Sequence, residues 1–157
     1  MSSRAAVLTI STSLAEGEGE DLSGPALVHL CEEAGLDVRH EVVADDREAI
    51  VAALKRLVDH EGVRFVFTTG GTGLTLDDVT PEATRAVIER EAPGYAEAIR
   101  MDAREHTPLG HLTRGVSGVR GRTLIVNLPG NPKAIEQSWP VIGPTLEHAA
   151  KLLERGA

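Results

Sequence analysis

The run Val63-Arg-Phe-Val-Phe67, followed by Thr68-Thr-Gly-Gly-Thr-Gly-Leu-Thr-Leu-Asp-Asp-Val-Thr-Pro-Glu82, decides the fold of this chain. The first segment, β-branched and aromatic around Arg64, reads as a buried strand. Thr80-Pro81 then opens a helix, with Thr80 as the N-cap and Pro81 in the first helical position. The glycine- and threonine-rich stretch therefore lies between the C-terminal end of a strand and a helix, where open α/β sheets hold their ligands. Gly70, Gly71 and Gly73 let the backbone take positive φ and bring its N–H groups close to a ligand. A row of such donors favours an anion, most often a phosphate. Asp77 and Asp78 would repel a phosphate unless a divalent cation bridges the two. Phosphate with Mg²⁺ is the resulting expectation, and a tight turn without a ligand is the alternative.

Working outward from this loop, Ala5-Ala-Val-Leu-Thr-Ile10 reads as a first buried parallel strand. Ser11 to Gly24, with acidic residues from Glu16 to Asp21, reads as a mobile loop, either a solvated connector or a lid. From Pro25 a helix carries Leu27, Leu30, Cys31 and Ala34 on one stripe and stops at Gly35. Cys31 on that stripe reads as core packing. Asp37–Val43 is a second strand. In Ala44-Asp45-Asp46 either aspartate can cap the next helix, whose stripe is Ile50, Leu54, Leu57 and Val58. The other role for Asp45 is metal binding, because this junction opens on the same sheet edge as the glycine loop.

Beyond the loop, Pro81–Glu91 reads as helical, and Pro93-Gly94 separates it from a helix running to about His106. Leu112–Val119 and Arg122–Leu128 read as strands paired around Arg120-Gly121. A second glycine- and proline-rich turn follows, Leu128-Pro-Gly-Asn-Pro-Lys-Ala134, again between a strand and a helix. Lys133 in this turn is either an ordinary helix-face lysine or an anion contact. The pattern predicts a three-layer α/β/α sandwich with a mostly parallel sheet, as one domain over residues 1–157. Three strand-to-helix junctions with polar or glycine chemistry are expected to meet on one edge.

The 157 residues carry a net charge of −8. That charge argues against a broad nucleic-acid or anionic-membrane surface, while leaving room for a small anion held by local amides and a metal. One cysteine excludes a disulfide framework and a thiolate metal cluster. No apolar run is long enough to span a membrane, and the N-terminus leads into a strand-like segment, not a signal peptide. A reducing cytoplasm is the expected compartment. The six histidines show no metal-ligand spacing. Walker A, the dinucleotide G-x-G-x-x-G and the G-x-S-x-G elbow are all missing.

Taken together, Thr69-Gly-Gly-Thr-Gly73, Asp78-Val-Thr-Pro-Glu82 and Leu128-Pro-Gly-Asn-Pro-Lys-Ala134 closely resemble the MogA/MoaB-type proteins of molybdenum cofactor biosynthesis. The likeness covers nearly the whole chain and takes in Ser23-Gly24, Asp45-Asp46 and Pro93-Gly94. It implies a molybdopterin-binding-like fold, a homotrimer and, in the enzyme branch, a molybdopterin adenylyltransferase. Such enzymes join ATP to the pterin's terminal phosphate with Mg²⁺ and release pyrophosphate. The family's two functional carboxylates match Asp45 and Asp78, as catalytic residues and metal ligands. The implied contacts to ATP and pterin phosphates are Ser11, Thr69, Gly70, Gly71, Thr72, Gly73, Gly130, Asn131 and Lys133. A partner protein that inserts molybdate is also implied.

Two stretches depart from the family pattern. Asp77 stands where many relatives have arginine, and Ser11-Thr12-Ser13 where many have Ser-Asp-Arg. Both changes remove positive charge. Two rival readings follow: a pterin-binding carrier or scaffold that does not activate ATP, and a nucleotide pyrophosphatase using the same metal site.

Overall fold

A computed structural model describes residues 2–155. Its centre is a six-stranded sheet in the order β2-β1-β3-β6-β5-β4. Strands β1 (Arg4–Ile10), β2 (Asp37–Val43), β3 (Phe65–Thr69) and β6 (Thr123–Leu128) run parallel. Strand β5 (Ser117–Arg120) returns antiparallel to β6 as a hairpin, and the two-residue β4 (Arg90–Glu91) pairs antiparallel with β5 at the edge.

Alternation along the central strands produces the layers. Val7, Phe65, Phe67, Val126 and Leu128 face one side, where they meet Leu27, Cys31, Ile99, Ile135 and Leu146 from the helices. Ala6, Leu8, Ile10, Val66 and Ile125 face the other, against Ile50, Leu54, Leu57, Ala83 and Val87. The first face is covered by α2 (Ser23–Glu33), α5 (Gly94–His106), α6 (Pro132–Ser138) and α7 (Leu146–Glu154). The second is covered by α3 (Arg47–Lys55), its π-helical extension Arg56–His60, and α4 (Thr80–Val87). Strands buried on both faces read as continuous apolar runs, which is why β1, β3 and β6 are legible as parallel strands. The expected three-layer α/β architecture is the one observed.

Several element boundaries differ from the sequence expectations. The Ser11–Gly24 segment is not all loop: Ser11 accepts the Leu14 N–H at 3.3 Å and caps one helical turn, α1 (Thr12–Ala15). Helix α2 begins at Ser23, two residues before Pro25. The helix expected over Pro81–Glu91 ends at Val87, with Ile88 extended. The Glu89 and Ala92 N–H groups bond instead to the Val119 and Ser117 carbonyls of β5, so the pull of the sheet edge outweighs helix propensity. The strand expected from Leu112 shrinks to Ser117–Arg120, because Pro108–Leu112 forms a 3₁₀ turn capped by Thr107.

Candidate functional site

The C-terminal ends of β1, β3 and β6 meet at Gly70. Its φ is +99°, and a Cβ there would lie 2.5 Å from the Ile10 carbonyl oxygen. No side chain fits that approach, so glycine is required. On its other flank, a Cβ on Gly130 would lie 3.2 Å from the Gly70 Cα. The Thr69 hydroxyl donates to the Pro129 carbonyl at 2.8 Å, and the Gly70 N–H to the Leu128 carbonyl at 3.3 Å. The two glycine-bearing turns, 60 residues apart in sequence, are thus joined directly.

Thr80 fastens the far end of the glycine loop, though not as the expected N-cap. Val79 occupies the cap position and makes no side-chain cap bond. Thr80 lies inside the helix, its hydroxyl donating to the Gly70 carbonyl at 3.0 Å and its N–H to the Gly71 carbonyl at 3.1 Å. A buried threonine therefore ties α4 to the loop instead of closing α4's own first turn.

Of the two aspartates after β2, the second is the helix cap and the first is not. Asp46 caps α3 by accepting the Ala49 N–H at 2.9 Å. Asp45 reaches across to the β1–α1 junction, where Oδ2 accepts the Thr12 N–H at 2.9 Å and the Thr12 hydroxyl at 3.2 Å. Its Oδ1 borders Gly71, 3.3 Å from where a Cβ would stand. Asp78 is held the same way: Oδ2 accepts the Thr75 N–H at 3.0 Å and the Thr75 hydroxyl at 2.9 Å. That oxygen lies 2.7 Å from the Cβ position of Gly73. Each carboxylate thus has one oxygen fixed by the protein and its Oδ1 without a hydrogen bond among the described residues, and both border the same glycine loop.

Two free carboxylate oxygens suit Mg²⁺, which keeps water and takes the rest of its shell from substrate phosphates. They do not suit an ion that needs a full protein cage. Among the described residues no group of three or more His, Cys, Asp or Glu is placed to hold a metal.

The other expected contacts fall into separate places. Ser11, Thr69, Gly70 and Gly130 line one cleft of about 320 Å³, whose rim includes Glu20 and Asp21. Thr72 is buried, its hydroxyl accepting from Thr113 at 3.3 Å and its carbonyl accepting the Arg114 N–H at 2.8 Å. Asn131 caps α6 by accepting the Lys133 N–H at 2.9 Å. Lys133 is exposed and makes no ion pair among the described residues. A larger cavity of about 780 Å³ opens beside Phe65, the first residue of β3, with Gly35, Trp139 and Lys151 in its walls. It lies at the opposite end of the strands from the glycine loops, away from where such sheets bind ligands.

Three side chains emerge that sequence reasoning passed over. The Asn127 amide, buried on β6, donates to the Thr68 and Thr84 hydroxyls at 3.0 Å each and accepts the Val116 N–H at 3.1 Å. Asp21 Oδ1 accepts the Gly24 N–H at 2.9 Å, and its Oδ2 lies 3.2 Å from His40 Nε2. Arg114 forms a fork onto the glycine loop and Glu82, and its hydrogen bonds hold the Glu82 carboxyl below the usual carboxylate range. Asn127 had one available signal, a polar residue within an otherwise apolar strand. Arg114 had none, since its side-chain partners lie 32 to 41 residues away.

Comparison with known proteins places the chain in a family. A family model described as "Probable molybdopterin binding domain" covers residues 6–148. The molybdopterin adenylyltransferase of Helicobacter pylori is 37% identical over 150 residues, spanning 94% of this chain and 85% of that protein. The molybdenum cofactor synthesis protein cinnamon of Drosophila melanogaster is 40% identical over 149 residues, but this chain spans only 25% of its length. In structure, the molybdopterin biosynthesis enzyme MoaB of Thermus thermophilus superimposes with a TM-score of 0.90 at 41% identity, covering 96% of both chains. Likeness of this extent, in sequence and in backbone, shows that the chain belongs to the molybdopterin-binding domain family of MogA and MoaB.

Proposed function

We propose that this protein is a molybdopterin adenylyltransferase of molybdenum cofactor biosynthesis, using ATP and Mg²⁺ and working as a homotrimer in the cytoplasm. The observation that carries the reading is the matched pair Asp45 and Asp78, each with one oxygen held by a threonine and one left for a ligand. An oxygen of the pterin's terminal phosphate would form the bond to the α-phosphorus of ATP, and the bond from that phosphorus to the β-phosphate would break, releasing pyrophosphate. The attacking phosphate is already ionised, so the chain need not supply a strong base. When bound, Mg²⁺ supplies charge neutralisation between the two polyanions and on the leaving pyrophosphate.

The protein's own share is positioning. Asp45 and Asp78 would hold the ion, and N–H groups of Gly71 to Gly73 would orient a phosphate through charge-assisted hydrogen bonds of roughly 1.5–3 kcal/mol each. The Thr69 hydroxyl is engaged by Pro129, so its role is to hold the cleft's shape. Lys133, exposed beside the second turn, would contact the other ligand. Hand-over of the adenylate to a molybdate-inserting partner completes the scheme.

One observation favours the carrier reading: among the described residues no lysine or arginine lines the Ser11–Gly70–Gly130 cleft, while Glu20 and Asp21 do. Pyrophosphate release from ATP, assayed anaerobically with and without molybdopterin and Mg²⁺, separates the alternatives. Release that needs both supports the transferase. Pterin binding without release makes the protein a carrier, and release without pterin makes it a pyrophosphatase.

A further inference from the structure

The segment from Gly73 to Asp78 carries one of the two proposed metal carboxylates, yet almost nothing apolar holds it down. Leu74 is 66% exposed and Leu76 is 99% exposed. A loop without buried side chains takes its position from the polar bonds at its ends. Here both ends hang on one side chain. Arg114 Nε donates to the Gly73 carbonyl at 2.7 Å, and Nη2 donates to the Asp78 carbonyl at 2.8 Å. The same guanidinium grips Glu82 in the first turn of α4 through Nη1 at 2.9 Å and Nη2 at 3.0 Å. Its main-chain N–H adds a bond to the Thr72 carbonyl at 2.8 Å. Inside the segment, Thr75 fixes Asp78 Oδ2, so the carboxylate is oriented within a loop whose two ends are set by Arg114.

We propose that Arg114 is a positioning residue for the metal–triphosphate site: its fork on Gly73, Asp78 and Glu82 sets where Asp78 presents its free carboxylate oxygen. The inference rests on the adenylyltransferase reading for its consequence in turnover, but not for its consequence in metal binding. Arginine is required because three acceptors in different directions need a planar fork. A lysine ammonium supplies the charge at a single point and cannot span them. Glu82 is the fork's anchor on α4.

The test compares wild type with R114K, E82Q and D78A. It measures Mn²⁺ binding in the presence of ATP by electron paramagnetic resonance, the Mg²⁺ dependence of pyrophosphate release, and thermal stability. R114K is expected to weaken Mn²⁺ binding and raise the half-saturating Mg²⁺ concentration by ~10–100-fold, the range seen when an outer partner of a metal ligand is lost. D78A is expected to lose the metal altogether. E82Q keeps both carbonyl bonds but loses the charged anchor of the fork, and is expected to shift Mg²⁺ dependence in the same direction as R114K and by less. R114K that is less heat-stable but binds Mn²⁺ like wild type would reduce Arg114 to a structural tie and overturn the proposal. Wild type that binds Mn²⁺ and ATP yet releases no pyrophosphate would sink the transferase reading and leave the R114K binding comparison decisive for this one. Wild type that binds no Mn²⁺ with ATP overturns both.

Discussion

Replacing Gly70 by alanine should damage this protein more than an equivalent change at any free turn, and the size of the difference follows from two separable costs. The first is conformational: a side chain forced to positive φ costs roughly 1–2 kcal/mol. Gly121 in the β5–β6 turn, at φ +55° with nothing within 4 Å of a Cβ, isolates this cost alone. The second is steric. At Gly70 the added Cβ would sit 2.5 Å from the Ile10 carbonyl oxygen, which belongs to the backbone of a buried strand and cannot swing away. Overpacking of this kind costs typically ~1–3 kcal/mol more. G121A should therefore lose about 1–2 kcal/mol and G70A about 2–5 kcal/mol. Urea unfolding with unchanged m-values measures both. Because Gly70 also touches Gly130 and receives the Thr80 hydroxyl, G70A should weaken ATP binding as well, whereas G121A should not. Equal stability losses in the two variants would refute the claim that three strand ends are packed against Gly70.

Further expectations follow from other contacts. D46A removes the α3 cap and should cost about 1 kcal/mol of stability without touching pyrophosphate release; D45A loses its two bonds to Thr12 and should cost a similar amount, but should also cut Mg²⁺-dependent release by at least ~100-fold. Burial pushes the Cys31 thiol up to about 12, so iodoacetamide at pH 8 should leave the native protein unlabelled and modify it only once urea has unfolded it. Hydrogen bonds from Arg120 hold the Asp59 carboxyl below its ordinary value of 3.8. The stability it contributes is therefore complete above that value and lost as pH falls through the lower folded one. Its exposure limits the effect to ~0.2–1 kcal/mol, so D59N should flatten the pH dependence of the urea midpoint below pH ~4 by only that much.

The sequence announced the layers and the loops better than it announced the ties between them. Strands β1, β3 and β6 are legible because burial on both faces demands uninterrupted apolar residues, and the glycine turns because close backbone approach demands glycine. Cap assignments were less legible. Thr80-Pro81 has the composition of a cap followed by a first turn, yet the threonine bonds to Gly70, a partner no local pattern encodes. Asp45 and Asp46 are chemically identical in sequence, and only the fold brings Thr12 next to the first of them. The overlong helix at Pro81–Glu91 has the same origin: Arg90 and Glu91 favour a helix locally but lie against β5 in space. What stayed hidden was long-range and polar, with Arg114 as the extreme case.

The placement of the aromatic rings has a consequence for how ligands can be observed. Trp139 meets Phe67 edge-on at 5.6 Å, and Phe67 stacks with Phe65 at 5.9 Å. The fourth ring, Tyr95, bonds to the Thr145 hydroxyl at 2.6 Å. None of them lines the cleft between the glycine turns. Native emission from the single tryptophan is therefore first a reporter of core integrity beside β3, and a ligand between the glycine turns makes no contact with it. An optical titration of this site calls for a fluorophore placed on the exposed Leu76, or for the pterin's own fluorescence as the signal.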